Sequence, residues 1–278
     1  MNFLTSIWRY LNLLSLDVVF GAMAGMLFFA DLLDVSLPFV LYLVLGLAVW
    51  GIYTLDHLID AKKIAHLASS ERHRFHQKHF LLLSIIFLIV VVTGMAMVIC
   101  LEHLRFIFLP GLIFAAFMLI WMGSIQFLYK RGVWLKEVST AVFYVLGISM
   151  APFFSIFPNE IPNEFFLLLT AYFLLASINL FILSYIDEKN DAQDKLGSAL
   201  QLMSSNFLRR FIFSLSSGTV IFLIVVFFWV PSFYKIHTCI LLILVLFHAL
   251  EFSKKNDSFH IREKLEASFL LPLLLLLL

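Results

Sequence analysis

Five aspartates in two short stretches are the residues of this 278-residue chain whose types and spacing best fit chemistry. Asp56 and Asp60 follow an apolar run and are spaced i, i+4, so on a helix they share one face. Asp187, Asp191 and Asp194 follow a later run at i, i+4 and i+7, and they form a second stripe if that helix continues. Carboxylates stacked on one face repel one another and need a compensating cation. Hard oxygen ligands in this pattern suit Mg²⁺, which is bound by one or two carboxylates, several waters and substrate phosphates. Two such clusters facing each other would hold a diphosphate through bridging Mg²⁺. The plainer alternative is a pair of solvated helix ends, neutralised by Lys62, Lys63, Lys189 and Lys195.

Other polar residues stand out against the apolar background. His73, His76 and His79 recur every third residue beside Arg72, Arg74 and Lys78. Imidazoles at i, i+3 can share a metal, but no cysteine or acid stands at ligand spacing, so the segment reads as a basic helix start facing headgroups or a diphosphate. Asp17, Gln126 and Asn179 fall within or beside apolar runs, where a polar group suggests a cavity or an interhelical hydrogen bond. Gly21 and Gly25 form a GxxxG pattern that permits a close helix contact. Cys100 and Cys239 read as buried thiols.

The elements that carry these residues are set by composition. The chain is 62% hydrophobic and 13% charged, where a soluble domain carries roughly a quarter charged residues. Apolar runs recur near 11–31, 37–55, 80–100, 106–128, 137–157, 165–186, 210–230, 236–251 and 266–278. Most match the roughly 20 residues a helix needs to cross a hydrocarbon core of about 30 Å. The expectation is an all-α bundle of nine transmembrane helices forming one domain over 1–278, with the short last run a tilted or partial span. No cleavage site follows the first run, which is expected to stay as an anchor.

Lysine and arginine give the orientation, because their excess in short loops marks the cytoplasmic side. With the N-terminus inside, 17 of the 19 bases fall on inside segments, and only Arg105 and Lys235 lie outside. Both aspartate stretches are then cytoplasmic, and the C-terminus lies on the opposite side. A net charge of +1 gives no basic excess for a nucleic-acid partner.

The order of these features resembles the UbiA superfamily of intramembrane prenyltransferases. That family has nine transmembrane helices, N-terminus inside, with aspartate-rich motifs after helices 2 and 6. Asp56 and Asp60 match the last two acids of its NDxxDxxxD motif, whose Asn and first Asp fall on Ile52 and Tyr53. Asp187 and Asp191 match its DxxxD, with Gly197 two residues later than the usual glycine. Tyr129-Lys130-Arg131, then Gly147 and Pro152, are similar to the family's YxxxKR and glycine-proline pattern.

The resemblance implies a multi-pass protein of a bacterial inner membrane that transfers a prenyl group from an allylic diphosphate to a lipophilic acceptor. It implies Mg²⁺ as cofactor, held by Asp56, Asp60, Asp187 and Asp191 with Asp194 in reach. It also implies a diphosphate assisted by Arg72, Lys130, Arg131 and Lys189, with Tyr53 in place of the missing acid and Asn179 in the cavity. The substitutions at Ile52 and Tyr53 favour a second reading, a non-catalytic relative acting in lipid binding, transport or assembly. A secondary transporter fits less well, since no paired Gly or Pro interruptions mark two corresponding halves.

Overall fold

A computed structural model describes residues 3–128, 133–194, 204–254 and 258–277. Among them the chain is all-helical. In order the helices are α1 (Phe3–Leu13), α2 (Leu16–Leu32), α3 (Phe39–Lys63), α4 (Glu71–Lys78), α5 (Phe80–Cys100) and α6 (Arg105–Leu128). They continue as α7 (Val133–Ile156), α8 (Asn163–Ile186), α9 (Glu188–Asp194), α10 (Ser205–Trp229), α11 (Ser232–Ser253) and α12 (Ser258–Ser268). Pro38, Pro162 and Pro231 stand immediately before α3, α8 and α11, where a missing backbone N–H costs nothing.

Seven of these helices, α3, α5, α6, α7, α8, α10 and α11, are long and apolar enough to cross a membrane. The chain is thus a multi-pass, all-helical membrane protein. Half of the apolar window of α8 and of α11 is buried, against 11% for α5 and α6, which places the first pair at the centre and the second at the lipid-facing edge. Around α8 pack α7, α10 and α11, while α2 joins α3 to α7. The core between them is aromatic: Phe28 and Phe29 of α2 meet Phe165 and Tyr172 of α8 edge-on or tilted, with ring centroids 5.4–5.7 Å apart.

The first and last expected spans take a different form. The run 11–31 is broken at Ser15, whose φ of 55° lies in the left-handed region. In an unbroken helix Asn12 and Asp17, five residues apart, would point about 140° away from each other. The break instead lets the Asn12 side-chain amide donate to Asp17 at 2.6 Å, and leaves α1 as a separate helix before α2. The run 266–278 is divided as well: α12 ends at Ser268, and Leu271–Leu277 forms a 3₁₀ stretch containing Pro272. A proline cannot bond back four residues and clashes there, so the α-helix stops. Seven residues of 3₁₀ helix rise about 14 Å, roughly half a hydrocarbon core. α12 and this stretch pack against α2 and α11.

The GxxxG pair on α2 makes the close approach its spacing allows. A Cβ on Gly25 would lie 2.7 Å from Ile148 of α7 and 2.8 Å from the Tyr172 hydroxyl of α8, and one on Gly21 would lie 3.0 Å from Phe269. Gly111 of α6 has no atom within 4 Å of such a position. Gly25→Ala should therefore lower stability in detergent by about 1–3 kcal/mol, the ordinary cost of overpacking. Gly111→Ala should leave it unchanged or slightly raised, and equal unfolding curves for the two variants would contradict this packing.

Candidate functional site

The polar residues collect at one end of the bundle. α3 runs eight residues past the expected boundary at 55, so Asp56 and Asp60 lie in its last two turns and not in a loop. Both are half-buried; Asp60 accepts from Lys63 at 3.4 Å and also feels Lys136 of α7. The following loop, 64–70, is pinned by α4. Ser70 caps that helix by accepting from the His73 N–H at 3.2 Å, and Arg74 donates to the carbonyls of Ala68 and Ser69. Gln77 accepts from the Ala68 N–H at 3.0 Å and donates to the His66 carbonyl at 2.9 Å.

Held in this way, the loop presents Ser69 to the second aspartate stretch. Asp194, with 1% of its side chain exposed, accepts from the Ser69 N–H at 2.9 Å and from its hydroxyl at 2.8 Å, with His66 at 3.3 Å. The two stretches, with Asp60 and Asp194 lying 134 residues apart, are thus joined through a loop and not through facing carboxylates. Their single stripe also fails to form, because α8 stops at Ile186 and Asp187 is a turn residue before α9. Asp187 pairs with Arg262 of α12, while Asp194 turns to Ser69. Asp191 falls on α9, its side chain outside the described residues.

A second set of contacts ties five elements together. The Asn12 amide donates to Asp17 and to Glu266, and its carbonyl accepts from Arg72 at 2.9 Å. Arg72 also reaches Glu266 at 3.4 Å, and Arg262 bridges Glu266 at 3.5 Å to Asp187. Asn12, Asp17 and Glu266 are each 5% exposed or less. The network therefore joins α1, α2, α4, α12 and the end of α8 through buried charge. Arg9 of α1 adds an outer ion pair to Glu71 of α4.

Beside it lies a histidine cluster. The His57 ring is 4.9 Å from His76, 5.7 Å from His73 and 6.4 Å from Tyr53. The buried Nδ1 atoms of His57 and His73 have no hydrogen-bond partner among the described residues, while the His76 Nδ1 donates to the Arg72 carbonyl at 2.9 Å. Burial lowers the His73 imidazole below its ordinary value, against the pull of Asp60, Asp194 and Asp56. Burial lowers His76 as well, opposed by its bond to Arg72. His79, which completes the repeat, stacks at 4.7 Å on Phe75, away from the other rings.

The remaining expected site residues are scattered. Tyr53 packs half-buried against the main core. Asn179 lies on α8 about 12 Å before Asp187, its buried Oδ1 without a hydrogen-bond partner among the described residues. Lys189 is exposed and, with Tyr185, Phe252 and Lys254, lines a cleft of about 360 Å³ between the ends of α8, α11 and α12. Lys130, Arg131 and Gly197 lie outside the described residues. Asn12, His57, Arg262 and Glu266 escaped the sequence reading. The one signal for the last two was an Arg and a Glu at i, i+4 ahead of a leucine run.

As arranged, these side chains do not fit a Mg²⁺ ion. Asp187 is held by Arg262, Asp194 by Ser69 and His66, and Asp60 by Lys63. No group of three or more His, Cys, Asp or Glu among the described residues is placed to hold a metal. No family model, curated protein or solved structure matches the chain.

Two outcomes follow from the buried charges. Arg72→Met leaves the Asn12 carbonyl without its donor and Glu266 with Arg262 as its remaining arginine, and should cost up to about 3–5 kcal/mol in detergent unfolding. His73 and His76 stay neutral when folded, but the unfolded chain protonates them near 6.5, so the folded state binds fewer protons. Stability is then full above about pH 6.5 and falls below it, by at most about 1.4 kcal/mol per histidine per pH unit. Between about pH 7.5 and about pH 5.5 the parent chain should lose more stability in thermal unfolding than a His73→Gln/His76→Gln variant does.

Proposed function

We propose that this chain transfers a prenyl group from an allylic diphosphate to a lipophilic acceptor inside the membrane. The observation that carries this reading is the contact of Asp194 with Ser69, in the loop that follows Asp60, at one polar end of an otherwise apolar bundle. The polar end faces the cytoplasm in this reading, since 17 of 19 bases lie on that side when the N-terminus is inside. Adding α2 and a partial pass by the C-terminal leucines to the seven long helices gives nine passes, with the C-terminus toward the opposite face. The membrane is a bacterial inner membrane in this proposal, and Mg²⁺, implied by the resemblance, would be held by Asp56, Asp60, Asp187, Asp191 and Asp194 only once Asp187 is released from Arg262 and Asp194 from Ser69.

The chain's own groups have definite tasks in such a reaction. The bond between the allylic carbon and diphosphate oxygen breaks, and the electron pair leaves with the diphosphate. Lys136, Lys189, Lys130 and Arg131 supply positive charge toward that leaving group, and neutral His73 offers one ring N–H. Tyr53 and Asn179 orient the substrate in this proposal. Apolar walls exclude water, so the acceptor captures the allylic cation, forms the new bond and releases a proton.

A second reading is favoured by a specific contact. Arg262 already neutralises Asp187, and Ile52 and Tyr53 replace two first-motif ligands, as in a non-catalytic lipid-binding or assembly protein. Thermal unfolding with allylic diphosphates of increasing chain length, in Mg²⁺ or EDTA, separates the two. A ligand at about a hundred times its Kd should add roughly 2.7 kcal/mol. That gain, dependent on Mg²⁺ and lost in Asp56→Asn/Asp187→Asn, is the outcome expected of the transferase; no gain in folded protein favours the non-catalytic reading.

A further inference from the structure

We infer that α12 is an internal occupant of the proposed diphosphate site, with Arg262 standing where the ligand's cation would sit and Glu266 where its anion would sit. The inference rests on the prenyl-diphosphate reading and concerns how that site is kept closed. Arg262 and Glu266 are four residues apart, share one face of α12 and bridge each other at 3.5 Å. From that face Arg262 reaches Asp187, the first acid of the second stretch. Glu266 reaches Arg72, a cation expected to bind the diphosphate, and shares Asn12 with it.

The two side chains therefore present one positive and one negative charge in the order a cation–diphosphate pair would present them. The contacts are mutually exclusive with ligand. A carboxylate filled by a guanidinium cannot also hold a divalent cation in the same direction, and a guanidinium filled by a carboxylate has fewer N–H groups for a phosphate oxygen. Packing alone does not call for this charge. Apolar residues of similar size often stabilise a buried position as well as an ion pair does. Glu266 is nonetheless 5% exposed and charged, next to apolar Leu265 and Phe269 of the same segment.

Ligand binding and the α12 contacts thus compete for the same groups, and binding must release Arg262 and Glu266. Amide exchange of the full chain in detergent tests this without any substitution. With Mg²⁺ and inorganic pyrophosphate present, exchange over residues 258–268 should rise while α8 and α11 stay protected. Titration of pyrophosphate in Mg²⁺ into Arg262→Gln and Glu266→Gln should give affinities about fivefold or more tighter than in the parent chain, the lower end of ordinary coupling between two ligands. Binding to the parent chain with unchanged exchange over 258–268, or weaker binding by both variants, overturns the inference and leaves the proposed function standing. Absence of binding by the parent and both variants overturns the proposed function and this inference together. Binding by the variants but not by the parent supports both.

Discussion

Charge buried at the end of an apolar bundle must be neutralised by the chain itself, and the structure depends on how that is done. Arg72 and Arg262 pair with Glu266, and Arg262 also pairs with Asp187, while Asn12 bridges Asp17, Glu266 and Arg72. Each contact crosses from one element to another, so the network fixes α1, α2, α4, α12 and the end of α8 relative to one another. Removing an ion from water costs several kcal/mol even after relaxation, and only well-directed partners repay it. This explains the break at Ser15. A left-handed residue costs a non-glycine roughly 1–2 kcal/mol, less than leaving Asn12 and Asp17 apart with unmet polar groups.

The rest of the bundle follows ordinary membrane rules. Its lipid-facing helices, α5 and α6, bury little of their surface within the chain. Between the central helices, small residues admit close approach: Gly25 lets Tyr172 and Ile148 reach the α2 backbone, and the aromatic rings around them fill the space. The charged and hydrogen-bonded side chains collect instead at the polar end. There the pinned loop 64–70 matters, since Arg74 and Gln77 hold Ser69 against Asp194.

Two kinds of partner thus hold the aspartates. On Asp194 the partners are a backbone N–H, a hydroxyl and a histidine from the neighbouring loop. On Asp187 the partner is an arginine from the far end of the chain. The first contact ties the second stretch to the loop after Asp60, and the second ties it to α12. His57 and His73 each keep a buried Nδ1 without a hydrogen-bond partner among the described residues.

The sequence by itself determined the solvent, the class and most of the helix boundaries. Apolar runs of membrane length and proline at three helix starts are local signals, and the seven long helices lie where those runs lie. The clustering of Asp56 with Asp60 was legible too, because four residues on a helix is one face whatever surrounds it. Only the tertiary structure decided which carboxylate meets which cation. Glu266 and Asn12 are 254 residues apart, and no periodicity links them. The fate of the second stripe was decided in the same way: spacing set Asp187 and Asp194 on one side of a continuous helix, but a turn at Asp187 and two separate long-range partners sent them in different directions. Local pattern sets which side chains share a face, whereas the desolvation of charge, which depends on everything packed around it, sets what that face will hold.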